Sequence, residues 1–145
     1  MSEEQSGKEG RMRFAGYAAV FDRPDRGGDV VLAGAFERSL KRDAASVPLL
    51  WQHKGGRRIG RIEYLKEDRR GLRVIARLSD GPAGRAAAAA LREGRVAGLS
   101  FGYNVRKAKR GTPRELTELD LVEISLVTVP MQPKARVHAL EPGPD

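Results

Sequence analysis

The sequence predicts a mixed, β-rich fold: a compact barrel or curved sheet of six to seven strands with a few surrounding helices. Three observations carry this. Short apolar runs, several alternating with polar residues at period two, recur through the chain. Clusters of Gly, Pro, Asp and Arg separate them at short intervals. Helical spacing appears in two short stretches only, at residues 35–42 and 82–93. With 145 residues, the chain has the size of one domain and can bury a core. The expected division is a disordered polar tail over residues 1–10, a single domain over 11–138, and a C-terminal tail over 139–145.

The elements follow in order. Residues 12–21 read as a strand with Met12, Phe14 and Gly16 on one side. Residues 23–29 are rich in turn formers. Residues 30–32 make a short strand, and 35–42 a short helix with Phe36 and Leu40 at i,i+4 on one face. The run 47–53 is apolar and ends in His53; Pro48 puts it at a sheet edge or at a strand's first position. Residues 54–57 read as a Gly-rich loop. Residues 59–66 and 72–78 form a hairpin, since Leu72, Val74, Ala76 and Leu78 alternate with Arg73, Ile75 and Arg77. The strongest helix spans 82–93, with Pro82 at its start, alanines inside and Gly94 past its end. A strand over 96–105 follows, then a basic loop or hairpin tip over 106–114. The last strand, 119–129, is apolar on both faces, which predicts burial on both sides. Pro130 and Pro133 end it.

Composition limits the chemistry. The absence of cysteine excludes disulfides, thiolate catalysis and Cys-ligated zinc. With His53 and His138 as the two histidines, a multi-histidine metal site is not expected, and no cofactor is implied. No run of about 18 apolar residues exists, so no membrane span is expected, and the N-terminal stretch does not resemble a secretory signal. The net charge of +8 suits nucleic acid, an acidic partner or solubility alone. The basic residues are dispersed over loops and strand ends. They accompany no recognition helix and no aromatic RNA-binding motif, so a solvated basic surface is the simplest reading.

Gly98-Leu99-Ser100-Phe101-Gly102 is the most informative segment. Period-two alternation puts Gly98, Ser100 and Gly102 on one face of a strand. Glycine in a strand marks close approach of another backbone or a ligand, so Gly98 and Gly102 are candidate substrate-binding positions beside Ser100. The segment also matches the G-x-S-x-G of a hydrolase nucleophile elbow. That fold is excluded here. It needs Ser, then acid, then His, whereas the histidine after Ser100 is His138 near the C-terminus, and Ser100 is followed by more strand.

A serine nucleophile needs a base, because an alcohol is almost wholly protonated at neutral pH. His53, at the end of an apolar run, can serve, since imidazole titrates near neutrality. On position alone it also reads as a strand-end histidine bonded to backbone. A third group should orient the base. Glu123 stands in the middle of Leu121-Val122-Glu123-Ile124-Ser125-Leu126-Val127. A carboxylate buried there costs several kcal/mol unless it is paired. Its partner is a histidine, or an arginine in a purely structural pair. Ser125 shares a face with Glu123, as a network member or a rival nucleophile without flanking glycines. Asp22, Asp25 and Asp29 lack the spacing of a calcium loop and read as turn residues.

The ordered set of landmarks resembles the prohead serine proteases of tailed phages, capsid-maturation enzymes also found in phage-derived gene transfer agents. The set runs from Gly16-Tyr17-Ala18-Ala19-Val20-Phe21 through Gly28-Asp29-Val30-Val31, Gly34-Ala35-Phe36, Leu49-Leu50-Trp51-Gln52-His53, Ile59-Gly60 and Gly71-Leu72. It ends with Gly98 to Gly102 and Leu121 to Pro130. The resemblance implies a fold like herpesvirus assemblin, a strand-rich barrel surrounded by helices. It implies a serine endopeptidase with catalytic Ser100, His53 and Glu123. Its implied partner is the major capsid protein, cut in its scaffolding segment or N-terminal arm inside assembling proheads in the bacterial cytoplasm. Self-processing and self-association are compatible with it. Herpesvirus relatives use a second histidine where this strand has Glu123. After Pro130 the family often continues Pro-Ala-Asn-Pro, and here Met131-Gln132-Pro133 follows. The alternatives are a non-catalytic capsid-assembly or scaffold protein retaining the fold, and a basic nucleic-acid-binding β-domain.

Overall fold

The structure, a computed structural model, describes residues 12–141; the expected tail over 1–10 lies outside them. Eight strands are formed among the described residues: β1 (Arg13–Val20), β2 (Asp29–Val31), β3 (Pro48–Trp51), β4 (Lys54–Glu67), β5 (Gly71–Leu78), β6 (Gly98–Lys109), β7 (Arg114–Val127) and β8 (Val137–Glu141). One α-helix, α1 (Pro82–Arg92), and two short 3₁₀ turns complete the set. All strands belong to one sheet in the order β2-β7-β3-β4-β5-β1-β8, with β6 on β7.

The sheet closes into a barrel through residues 135–137. On one side this segment pairs with β1, where Gly16 faces Val137 and the Tyr17 N–H donates to the Arg136 carbonyl at 3.1 Å. On the other side it meets the start of β6: Leu99 N–H donates to the Ala135 carbonyl at 3.0 Å, and Val137 N–H to the Ala97 carbonyl at 2.9 Å. Gly16 is required at this seam. A Cβ there would lie 2.8 Å from Leu99 Cδ1 and 2.9 Å from the Val137 backbone. Leu72, Val74, Ala76 and Leu78 of β5 face the core as their alternation predicts. With Phe14, Phe36, Leu49, Ile62, Leu99 and Ile124 they fill the barrel. α1 packs on β4 and β5 through Ala87, Ala90 and Leu91, and Gly94, at φ 73°, ends its capping turn.

Five elements differ from expectation. Residues 35–42 form turns and a 3₁₀ turn (Ser39–Lys41) instead of a helix. The segment spends its polar groups on the free edge of β7. Leu119 N–H donates to the Ala35 carbonyl, Leu121 N–H to Ser39 Oγ at 2.9 Å, and Arg42 Nη1 to the Leu121 carbonyl at 3.0 Å. It thereby fills the gap along β7 between β2, which pairs at 114–116, and β3, which pairs at 124–126. Glu67 anchors its start, accepting from Gly34 N–H at 2.7 Å and Phe36 N–H at 2.9 Å. Residues 54–57 belong to β4 rather than to a loop, although their side chains are exposed. The basic stretch 106–109 continues β6, paired with acidic β7: Arg106 reaches Glu118 at 3.0 Å and Asp120 at 3.2 Å. β8 carries the chain past the expected domain end at 138 as far as Glu141, with Leu140 opposite Phe14.

The fifth, β7, expected as the last strand with both faces buried, is the most consequential. Gly102 pairs with Glu123 but Tyr103 pairs with Leu121, so Val122 is an extra residue, a β-bulge. The bulge shifts the phase of β7. Before it, Leu119 and Leu121 face the core; after it, Ile124 and Leu126 do. The two apolar sets are thus successive stretches of one core face. Val122 is left 48% exposed, and Glu123 and Ser125 turn to the outer face. Val122→Asp should therefore change stability by no more than about 0.5 kcal/mol, whereas Ile124→Ala should cost about 2–5 kcal/mol. Urea titration of the two variants checks this; equal losses would contradict the bulge.

Two carboxylates tie the elements together. Asp29 takes a two-pronged contact from Arg114, at 2.9 and 2.8 Å. That guanidinium holds its carboxyl below the usual range against the opposing effect of burial. Burial pushes Asp68 up, but the Tyr17 hydroxyl at 2.5 Å and the N–H groups of Arg70 and Gly71 outweigh it and lower the net value. Unfolded, both titrate near about 3.9. A depressed native value means that the unfolded chain binds more protons, so this stability is complete above the unfolded value. It is lost as pH falls through the native values. The urea midpoint should drop between about pH 5 and pH 2, and Asp29→Asn with Asp68→Asn should flatten that drop. An unchanged slope in the double variant would refute the assignment.

Candidate active site

The site is built on the outer face of three adjacent strands, β6, β7 and β3. In the antiparallel β6–β7 pair, Gly98 faces Val127, Ser100 faces Ser125, and Gly102 faces Glu123. Directly opposed residues point to the same side, so Ser100, Ser125 and Glu123 share one surface. On the other side of β7, β3 runs parallel, with Leu50 beside Ser125 and Trp51 beside Leu126. β3 then turns into β4 through Gln52 and His53, which brings His53 over Glu123.

The contacts form a closed ring. His53 Nδ1 lies 2.6 Å from Glu123 Oε2. An ionised carboxylate can only accept, so Nδ1 carries the proton and Nε2 is free as a base. The second oxygen, Oε1, accepts from Ser125 Oγ at 2.8 Å. Ser125 Oγ in turn accepts the His53 backbone N–H at 3.1 Å. Glu123, 9% exposed, is satisfied at both oxygens, which is what a buried carboxylate requires. The His53 ring itself is open to solvent, its side chain 42% exposed.

The turn that carries His53 is strained. Gln52 has φ 51° and His53 φ 62°, two consecutive non-glycine residues in the left-handed region. Each costs about 1–2 kcal/mol in a setting where Asn-Gly would be usual. The end of β7 holds the turn. Gln52 N–H donates to the Leu126 carbonyl at 2.9 Å. The Gln52 carboxamide donates to Thr128 Oγ1 at 2.6 Å and accepts the Thr128 N–H at 3.1 Å. Strain over-determined in this way is characteristic of functional sites.

The structure thus unites His53 and Glu123 directly, and places Ser100 on the neighbouring strand opposite Ser125, on the same face of the sheet. Ser100 is nearly buried and borders a concave surface lined also by Ala18 and Val20 of β1, Asp25, Tyr103 and Met131. Gly98 and Gly102 allow close approach, and what approaches is the chain itself. A Cβ at Gly98 would lie 2.8 Å from Pro130 Cδ, and one at Gly102 would collide with the Glu123 carboxylate. Of the two readings of Ser125, the structure supports network member: it is fully buried and bonded to Glu123 and to His53. His138 lies on β8 beside Tyr17, at a ring separation of 5.8 Å. Gln52 and Thr128 stand within the sequence landmarks, but the sequence assigns them no role. The signal that could have found them is the two-residue spacing between the apolar run and Lys54, which makes a tight hairpin once β4 is taken to start there.

The sequence model of the caudovirus prohead serine protease family matches residues 1–143. The chain belongs to this family. A curated relative, the prohead protease of Enterobacteria phage HK97, is 36% identical over 134 residues, covering 88% of this chain. The chain spans 60% of that relative's length. Among solved structures, the capsid assembly protease of bacteriophage T4 is similar with a TM-score of 0.67 at 14% identity, covering 81% of each chain. The KSHV protease, solved with a hexapeptide phosphonate inhibitor, has a TM-score of 0.63 at 12% identity, covering 90% of this chain and 65% of its own. The varicella-zoster virus protease has a TM-score of 0.58 at 14% identity, covering 90% of this chain and 64% of its own. The prohead protease family and the herpesvirus enzymes therefore share this barrel, as the sequence landmarks imply.

Within this frame the ring can be tested. Ser125→Ala removes the donor to Glu123 Oε1 and the acceptor of the His53 N–H. It should cost about 1–3 kcal/mol of stability and shift the proton NMR signal of the His53 Nδ1–H without abolishing it, since Glu123 Oε2 still accepts that proton. Gly102→Ala should keep the fold and displace Glu123, weakening the His53 contact. Thermal unfolding combined with proton NMR of the His53 Nδ1–H checks both variants. An unchanged melting temperature and an unchanged Nδ1–H signal in the Ser125→Ala variant would contradict its supporting role.

Proposed function

We propose that this chain is a serine endopeptidase of prohead maturation. The observation that carries this is the His53–Glu123 contact of 2.6 Å on the strand face shared with Ser100, in a chain of the prohead protease family. Ser100 Oγ attacks the scissile carbonyl. His53 Nε2 accepts the hydroxyl proton and returns it to the leaving amine, while Glu123 holds the ring in the Nδ1–H tautomer and stabilises the imidazolium. Water then attacks the acyl-enzyme by the same proton path in reverse. A backbone N–H or an arginine near the Ser100 cleft stabilises the oxyanion. Catalytic hydrogen bonds often tighten only on substrate binding, and this mechanism requires Ser100 and His53 to complete their contact when the peptide binds.

The substrate we assign is the scaffolding segment or N-terminal arm of the major capsid protein, cut inside the assembling prohead within the bacterial cell, with trimming of the protease's own ends as a second event. Co-expression with the capsid protein tests this. The wild-type chain should release the capsid protein's N-terminal segment. Ser100→Ala and His53→Ala should each lower cleavage by at least about 10³-fold, with assembly unaffected. Cleavage that survives Ser100→Ala removes the assigned nucleophile. Intact capsid protein in wild-type proheads favours a scaffold role for the fold.

A further inference from the structure

We infer that Gln52 and Thr128 form a positioning clamp for His53, which sets the direction of the imidazole toward Ser100. The inference rests on the protease reading above and concerns residues that do not touch the reacting atoms. Its basis is a mismatch between the turn and its sequence. A two-residue hairpin turn with both residues at positive φ favours Asn-Gly or Gly-Gly. Here it is Gln-His, at φ 51° and 62°. A histidine in that conformation needs external restraint, or the turn relaxes and the ring swings away from Glu123.

The restraint comes from the exit of β7. The Gln52 carboxamide uses both ends on one residue, donating to Thr128 Oγ1 at 2.6 Å and accepting Thr128 N–H at 3.1 Å. The Gln52 backbone N–H donates to the Leu126 carbonyl, and the next N–H, that of His53, donates to Ser125 Oγ at 3.1 Å. Residues 52 and 53 are thus fastened to 125, 126 and 128, three successive anchors on the strand that carries Glu123. Acid and base are therefore referenced to one rigid element, and the ring is aimed by Gln52 as well as by Glu123. Glutamine fits this task better than asparagine, whose amide reaches one methylene less far. Glycine would suit the turn but would leave Thr128 without its partner.

This contrast gives the test. Gln52→Gly relieves the turn and removes the clamp, Gln52→Ala removes the clamp alone, and Thr128→Val removes one of its two side-chain bonds. All three are compared with wild type in the full chain, by cleavage of a capsid-protein substrate and by proton NMR of the His53 Nδ1–H without substrate. Gln52→Ala and Gln52→Gly should lower kcat by about ten- to a hundredfold with little change in KM, and should broaden the Nδ1–H signal. Thr128→Val should do the same to a smaller degree. Gln52→Gly should do so while unfolding no earlier than Gln52→Ala, which separates positioning from stability. Unchanged kcat and an unchanged Nδ1–H signal in a folded Gln52→Ala variant overturn the clamp. If Gln52→Ala does not fold, the same two readings on Thr128→Val decide it. The NMR signal needs no proteolysis, so the clamp stands or falls separately from the protease reading, which Ser100→Ala decides.

Discussion

One constraint organises this molecule: a carboxylate held at the surface of a barrel but almost out of water. Glu123 is 9% exposed, and an unpaired carboxylate in such a position would cost several kcal/mol. Its surroundings supply that compensation. One oxygen takes the imidazole Nδ1–H, the other the Ser125 hydroxyl. The same hydroxyl accepts the His53 N–H, so the compensation for the charge also fixes the residue that would act as base. Gly102 leaves the space in which the carboxylate lies. Burial and orientation are a single arrangement here.

That arrangement depends on the bulge at Val122. Without it, Leu121, Glu123 and Ser125 would share one face by period-two alternation, and either the leucine would face out or the carboxylate would enter the core. The extra residue lets Leu121 and Ile124 both fill the barrel while Glu123 and Ser125 emerge. The exposed Val122 is the visible consequence. A bulge that redirects side chains beside a site is a recurring use of the device.

Much of this was legible in the sequence because it depends on local pattern. Alternation in β5, the Pro82 to Gly94 helix signals and the Gly-Leu-Ser-Phe-Gly face are properties of neighbouring residues. So was the expectation that Glu123 needs a partner, since a charge in an apolar run implies one. The rest depends on residues far apart in the chain. The segment 35–42 has helical spacing at Phe36 and Leu40, but its backbone is claimed by Glu67 and by the open edge of β7. β7 itself looked doubly buried because a bulge is not encoded by hydropathy. The start of β4 reads as a loop because Lys54 to Arg57 is polar and Gly-rich, although its backbone pairs with β3. Beyond the two-residue spacing before Lys54, nothing local marks Gln52, because its partner Thr128 comes 76 positions later.

The closure of the barrel explains how Ser100, His53 and Glu123, spread widely in sequence, come to lie on three neighbouring elements of one sheet. Ser100 is held from one side: residues 135–137 bind the start of β6 at Leu99 and Gly98, and β1 binds the same segment at Gly16. His53 is held from the other side, through β3 and the turn anchored on residues 125–128. β7 lies between them and carries Glu123. The relative position of base and hydroxyl is therefore set by the β6–β7 register, a ladder from Gly98–Val127 to Lys109–Glu115. A slip of one residue in that ladder would turn Ser100 to the core and Leu99 to the surface. Leu99 is fully buried beneath the seam, so the core itself opposes the slip. The hydrophobic packing that stabilises the barrel also keeps Ser100 on the face that carries Ser125 and Glu123.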